Sequence, residues 1–89
     1  MGSFAEKVMS LSQENITQRI IERIKEVAFK KVSSVEEELI ESNALNSITL
    51  VELALALEKE FSVSIPFIEI NKENFKTVEA IKKLIVKKT

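Results

Sequence analysis

The sequence of 89 residues contains no cysteine, histidine, tyrosine, tryptophan or aspartate, and all 14 of its acidic residues are glutamate. Without Cys or His, the chain cannot build a Cys–His or Ser–His nucleophile pair or a Cys/His metal site. Glu and Lys remain as acids and bases, but no pair of them falls in an evident apolar pocket. The composition therefore argues against a self-contained enzyme. Any thiol chemistry must take its sulfur from a prosthetic group.

Long apolar runs are also missing. No segment approaches the roughly 20 apolar residues that a membrane-spanning helix needs. The first 11 residues lack the basic start and continuous apolar core of a signal peptide, and the absence of Cys excludes a disulfide framework. We therefore expect a cytoplasmic protein without a membrane span.

Turn-forming residues are scarce, with one Gly and one Pro. The apolar fraction of 45% is that of a globular protein, and abundant Leu, Ile, Glu, Lys and Ala favour helices joined by short loops. The length allows one domain. We expect this domain over residues 13–89, preceded by a tail or short extra helix over residues 1–12.

Charge is unevenly distributed along the chain. Residues 32–61 contain seven Glu and one Lys, a net charge of −6, whereas both flanking segments are mildly basic. An acidic centre argues against nucleic acid as a partner. It suits partner proteins with a basic docking face, although acidic surface also serves simply to keep a domain in solution.

Apolar spacing predicts a first helix over residues 13–31, with Lys30 and Lys31 in its last turn. Its apolar stripe is Ile16, Ile20, Ile24, Val27 and Ala28. Residues 32–46 have no sustained period and predict a loop, with one helical turn near residues 35–39. The residues expected to hold this loop to the core are Val32, Val35, Leu39, Ile40 and Leu45.

A second helix is predicted from Asn46 or Ser47 to Phe61, because Asn and Ser are strong N-cap residues. Its core stripe is Leu50, Leu53, Ala54, Leu57 and Phe61, with Val51 on the flank. Ile48 and Leu55 lie off this stripe beside the polar face. Single exposed apolar residues are ordinary, but two on one helix favour a docking patch.

The remaining residues predict two further helices. Pro66 prevents the second helix from continuing, and a short helix is expected over Asn71 to Phe75, with Ile68, Ile70 and Phe75 pointing inward. Thr77 caps the last helix, whose buried stripe is Val78, Ile81, Leu84 and Ile85. The predicted fold class is therefore all-α: a four-helix bundle with three long helices and one short one.

Several motifs together resemble the acyl carrier protein family. That family's pattern is Asp-Ser-Leu, Val-Glu-Leu, Leu-Glu-x-x-Phe and Ile-Pro. Asn46-Ser47-Ile48 stands at the first of these motifs, and residues 51–53, 57–61 and 65–66 match the other three. The segment from Glu73 to Ile81 resembles the junction of the family's third and fourth helices. The resemblance covers residues 15–86, which is nearly the whole chain.

The resemblance implies a non-catalytic carrier with 4′-phosphopantetheine on Ser47, attached by a phosphopantetheinyl transferase. The arm's thiol then holds an acyl or aminoacyl group as a thioester. An acyl-loading ligase and a downstream acyl transferase or synthase of lipid, polyketide or specialised biosynthesis are the other implied partners, and a monomer is expected. The predicted partner-binding residues are Asn46, Ile48, Thr49, Glu52 and Leu55.

Two departures from the family pattern bear on function. Asn46 stands where the family has Asp before the serine, which removes one negative charge. The loop ending at residues 41–47 looks more like that of D-alanyl and other specialised carriers than that of fatty-acid carriers. The alternative is an unmodified helical interaction module in which Ser47 only caps its helix.

Overall fold

The computed structural model describes residues 13–89, and this part of the chain is all-α. Its helices are α1 (Gln13–Ala28), α2 (Ser47–Phe61), α3 (Lys72–Phe75) and α4 (Val78–Lys88), with a 3₁₀ helix over Phe67–Glu69 between α2 and α3. The predicted four-helix bundle, with three long helices and one short one, is confirmed. The predicted tail or extra helix over residues 1–12 lies outside the described residues, so the domain boundary stays a prediction.

One hydrophobic core joins the helices, since α1 packs against α2 and α4, and α3 packs against α4. The predicted stripe of α4 is buried in it, as are Ile16, Ile20 and Ile24 of the α1 stripe, whereas Val27 and Ala28 are half-buried. Leu53, Ala54 and Leu57 are the buried residues of α2, while Leu50 and Phe61 are half-buried at its edge. Phe75 is wholly buried and anchors the four-residue α3 to this core.

The first helix ends three residues earlier than its apolar pattern predicts. Phe29 has a φ of 54°, in the left-handed region, and its N–H donates to the Lys25 carbonyl over 3.0 Å. The chain therefore leaves the helix at Ala28, and the prediction that Lys30 and Lys31 lie in the last turn is wrong. Lys30 pairs instead with Glu37, with Nζ 2.8 Å from Oε2.

Residues 29–46 form a loop with turns, and the helical turn predicted near residues 35–39 is absent from this segment. Backbone hydrogen bonds hold the loop against the start of α4. The Leu39 N–H donates to the Lys76 carbonyl over 2.8 Å, and the Glu79 N–H donates to the Val35 carbonyl over 3.1 Å. Val32, Leu39 and Leu45 are buried as predicted.

An ion cluster links α1 to the last turn of α2. Arg19 Nε lies 2.6 Å and Arg23 Nη1 2.7 Å from the two carboxylate oxygens of Glu60. The Arg19 guanidinium also lies 4.7 Å from the centre of the Phe61 ring. The hydrogen bond from Arg19, together with the charges of both guanidinium groups, lowers the pKa of the Glu60 carboxyl despite its partial burial.

The segment after α2 returns along the bundle. The Ile65 N–H donates to Glu58 Oε2 over 2.6 Å, and Ile65 is buried. Ile68, which was predicted to point inward, has 81% of its surface exposed, as has Phe67. The prediction is wrong because the 3₁₀ helix turns both side chains to solvent, while Ile70 and Phe75 pack inward.

Candidate functional site

Asn46 and Thr49 build the start of α2. Asn46 has extended backbone, and its Oδ1 accepts the N–H groups of Ile48 and Thr49, each over 2.9 Å. In return, Thr49 Oγ1 accepts the Asn46 N–H over 2.8 Å. This is a reciprocal capping box, in which the amide oxygen of Asn46 satisfies two of the N–H groups that a helix start leaves unpaired.

Ser47 is the first helical residue and takes no part in this cap. Its side chain is exposed, and no residue between 13 and 89 hydrogen-bonds to its hydroxyl. Within the alternative interpretation, the prediction that Ser47 caps α2 is therefore wrong, because Asn46 caps it. The structure leaves at this position a serine oxygen that is open to solvent and to an incoming reagent.

The electrostatics of this helix end suit a negative group. The first turn of α2 contains no acidic residue that would repel one. The helix dipole favours an anion there by about 0.3–1 kcal/mol at an exposed position. The N–H groups of Ile48 and Thr49 are already bonded to Asn46, so the dipole rather than these donors favours an anion. An exposed phosphodiester on Ser47 fits this site, since Ser47 is exposed and the first turn has no acidic residue to repel the phosphate.

An exposed apolar stripe runs along α2 from this end. Ile48 is 70% exposed and Leu55 is 57% exposed, which confirms that both lie off the core. Val51 is also exposed, and the spacing of 48, 51, 52 and 55 places Glu52 on the same face. The apolar pattern predicts Val51 on the flank of the core stripe, but its three-residue offset from Ile48 also fits the exposed face on which it lies.

The five predicted partner-binding residues divide into two groups. Ile48, Glu52 and Leu55 present side chains to solvent along one face of α2. Asn46 and half-buried Thr49 lie at its start, where their polar atoms are used in the cap. Partner binding by these residues stays a prediction, but the cap already accounts for the side-chain hydrogen bonds of Asn46 and Thr49.

Most glutamates of the acidic centre, residues 32–61, bind other residues of the fold. Glu37 pairs with Lys30, Glu41 with Lys72, and Glu60 with two arginines, while Glu58 accepts the Ile65 N–H. Lys72 Nζ donates to Glu41 Oε2 over 2.9 Å, and this hydrogen bond lowers the pKa of the Glu41 carboxyl and raises the pKa of Lys72. Near Ser47 on α2, Glu52 is the exposed carboxylate.

The described residues limit other kinds of site. Between residues 13 and 89, no three or more His, Cys, Asp or Glu side chains gather into a possible metal site. Each helix in the same range is too short or too polar to span a membrane.

The family model and the relatives found by comparison with known proteins agree with one another. Residues 18–85 match the family model described as "Phosphopantetheine attachment site". The chain is 31% identical over 75 residues to a D-alanyl carrier protein of Lactobacillus delbrueckii subsp. bulgaricus, which covers 79% of this chain and 94% of the relative. It is also 31% identical over 75 residues to aminoacyl carrier protein 2 of Bradyrhizobium diazoefficiens, covering 81% of this chain and 84% of that relative.

Proposed function

We propose that this chain, which belongs to the acyl carrier protein family, bears its 4′-phosphopantetheine on Ser47. The protein is a carrier and not an enzyme, and its cofactor is covalently attached phosphopantetheine. The group supplies the thiol that a chain without cysteine lacks. The rest of the chain sets the position and the electrostatic environment of the attachment oxygen.

The observation that most strongly supports Ser47 as the attachment site is that its hydroxyl has no role in capping the helix. The hydroxyl is exposed and has no hydrogen bond to any residue between 13 and 89, and it lies next to a residue that already caps the helix. A serine needed as a cap would lose its capping geometry on modification, whereas Ser47 loses no hydrogen bond. The Asn46 side chain performs this capping without the negative charge that the family's usual Asp would bring.

We further infer that the cargo is an aminoacyl group or another small acyl group, held as a thioester. The curated relatives are named as D-alanyl and aminoacyl carriers, and the loop before Ser47 resembles that of specialised carriers. A phosphopantetheinyl transferase, an acyl-loading ligase and a downstream acyl transferase or synthase are the expected partners. We place the protein in the cytoplasm as a monomer.

We also propose that these partners dock on the α2 stripe of Ile48, Val51, Glu52 and Leu55. The stripe begins one residue after Ser47, so an enzyme that covers it reaches the attachment oxygen at the same time. Its exposed apolar side chains surround one carboxylate. Such a face suits a partner surface with an apolar centre and one basic group.

The test is intact-mass spectrometry after incubation with coenzyme A, magnesium and a broad-specificity transferase. The wild-type chain should gain the mass of one phosphopantetheine, and Ser47→Ala should gain none. Ser42→Ala is the matched control, since Ser42 is another exposed serine near this end and should leave the gain unchanged. Leu55→Glu should slow the gain while leaving the circular dichroism spectrum unaltered.

Three results would count against these proposals. A wild-type chain that gains no mass with several transferases would favour the unmodified interaction module. A Ser47→Ala chain that still gains it would move the attachment to another residue. Loss of helix content in Leu55→Glu would show that Leu55 is a core residue and remove the proposed docking stripe.

A further inference from the structure

The side-chain amide of Asn46 has one orientation that the capping box allows. The backbone N–H groups of Ile48 and Thr49 both require an acceptor, and each lies 2.9 Å from Oδ1. The NH₂ group of an asparagine only donates, so it cannot take the place of the oxygen. Oδ1 therefore faces the helix, and the Nδ2 group lies on the other branch of the amide, away from these N–H groups.

The Nδ2 group of Asn46 has two N–H donors that the fold leaves unused. Asn46 is exposed, and no residue between 13 and 89 accepts a hydrogen bond from its Nδ2. Asn71, which caps α3, differs in this respect. Its Oδ1 accepts the Asn74 N–H over 2.9 Å, and its Nδ2 donates to the Ile68 carbonyl over 3.0 Å. Both asparagines serve as acceptors at a helix start, but the donors of Asn46 stay available.

These donors belong to the residue directly before Ser47. Consecutive Cα atoms lie about 3.8 Å apart, and a phosphate on Ser47 Oγ hangs from rotatable single bonds. A phosphate oxygen can therefore turn toward the neighbouring amide without a movement of the backbone. The backbone N–H groups of Asn46, Ile48 and Thr49 are already bonded within the capping box, so the side-chain amide is better placed than they are to donate to it.

We propose that the Asn46 side chain binds the phosphodiester of the phosphopantetheine arm by donating a hydrogen bond from Nδ2 to a phosphate oxygen. The inference rests on the proposed attachment of the arm to Ser47. A hydrogen bond to an ionised acceptor is shorter and stronger than one between neutral groups. The first turn of α2 has no acidic residue that would draw the phosphate's partner away or repel the phosphate. Asn46 is therefore a positioning residue for the arm as well as a helix cap.

The aspartate that the family usually has at this position could not form this bond. Its carboxylate would cap the helix with one oxygen and place the other where Nδ2 lies. A carboxylate is an acceptor only, and its charge would repel the neighbouring phosphate. The departure from the family pattern at Asn46 thus keeps the cap and replaces a repulsion by a hydrogen bond.

The bond acts on the base of the arm and not on its thiol end. It gives the phosphate a preferred orientation at the start of α2, while the rest of the arm stays free to carry its thioester to partner enzymes. Because Asn46 is exposed, water competes for both the donor and the acceptor. An enzyme that needs another orientation of the phosphate can therefore displace the amide.

The test is nuclear magnetic resonance of the isotope-labelled chain before and after modification with coenzyme A, magnesium and a transferase. One of the two Asn46 Nδ2 protons should shift downfield when the arm is attached. The Asn71 Nδ2 protons should stay in place, because that amide is already bonded to Ile68. The phosphorus resonance of the modified chain should move in Asn46→Ser, which keeps a capping oxygen but has no amide. In concentrated urea, this difference from wild type should vanish.

Asn71→Ser is the matched control, since it makes the same change at the cap of α3. It should leave the phosphorus resonance where it is in the wild-type chain. Asn46→Asp supplies a second readout, the change in melting temperature on modification. Modification should lower the melting temperature of Asn46→Asp more than that of wild type, because the cap holds a carboxylate beside the phosphate.

The outcomes separate this inference from the proposed function. If intact mass shows no arm on Ser47, both fail, because the phosphate is not at this helix end. If the arm is attached but the Asn46 amide protons do not move, only the inference fails. It also fails if Asn46→Ser and Asn71→Ser have the same phosphorus resonance, or if modification changes the melting temperatures of Asn46→Asp and wild type equally.

Discussion

At the residue scale, the neighbouring side chains of Asn46 and Ser47 have different roles at the start of α2. Asn46 Oδ1 holds two backbone N–H groups, while the Ser47 hydroxyl holds none. From the sequence alone either residue could cap the helix, since Asn and Ser are both strong caps, and only the family resemblance favoured a free serine oxygen. The sequence could not predict that Thr49 completes a capping box, because Thr is not the usual Glu or Gln of that motif.

Asn46→Ala should lower the free energy of unfolding by about 1 kcal/mol, since two N–H groups lose their acceptor. Asn46→Asp should instead match or exceed the wild-type stability, because a carboxylate keeps the cap and interacts favourably with the helix dipole. Urea unfolding midpoints of the three chains measure both effects. Equal stability of Asn46→Ala and wild type would show that the capping box contributes nothing.

At the element scale, the sequence predicted helices best where an apolar stripe and a cap coincide. The last helix has both, with Thr77 Oγ1 accepting the Ala80 N–H and Val78, Ile81 and Ile85 wholly buried. The end of α1 was misplaced because its stop is a left-handed Phe29, where helices usually have Gly. The orientation of Ile68 was missed because a three-residue 3₁₀ helix is too short to have a readable period.

Phe29→Gly should raise the free energy of unfolding by about 0.5–1 kcal/mol, since glycine adopts a positive φ without the Cβ clash. The side chain is 90% exposed, so its removal forfeits little burial. Phe29→Ala is the control, because it removes the same ring but keeps the Cβ. Thermal unfolding should rank Gly above Ala, and a reversed order would show that the exposed ring stabilises the fold.

At the scale of the whole molecule, the structure changes the interpretation of the charge distribution, because it shows which residues pair with the acidic side chains. The acidic centre suggested either docking or solubility, yet Glu37, Glu41, Glu58 and Glu60 all have partners within the fold. No spacing rule could show this, because Arg19 and Glu60 are far apart in sequence and meet only after α1 and α2 have packed. On α4, by contrast, Lys82, Lys83 and Lys87 form no salt bridge with any residue that the structure describes, whereas Lys88 pairs with Glu69.

The ion cluster predicts an acid-sensitive stability. The pKa of Glu60 is lower in the folded chain than its ordinary value, so the stabilisation is fully present above the ordinary glutamate pKa of about 4.3. It is lost as the pH falls through the lower folded pKa. Glu60→Gln should therefore lower the melting temperature at neutral pH and flatten its decline in acid.

Glu36→Gln is the control for that experiment, because Glu36 is exposed and outside every ion pair of the described chain. It should leave the melting curve and its pH dependence nearly unchanged. If both variants flatten the acid decline equally, the effect comes from net charge and not from the cluster that joins α1 to α2.

The capping box has one more consequence for a molecule that changes its chemical state during each cycle. Because Asn46 binds the amide protons of Ile48 and Thr49, these protons should exchange with solvent at the same slow rate whether Ser47 is bare, modified or loaded. The backbone at the start of α2 should therefore keep one geometry through the whole cycle. At this helix end, an enzyme that distinguishes an empty carrier from a charged one would have to contact the arm and its cargo.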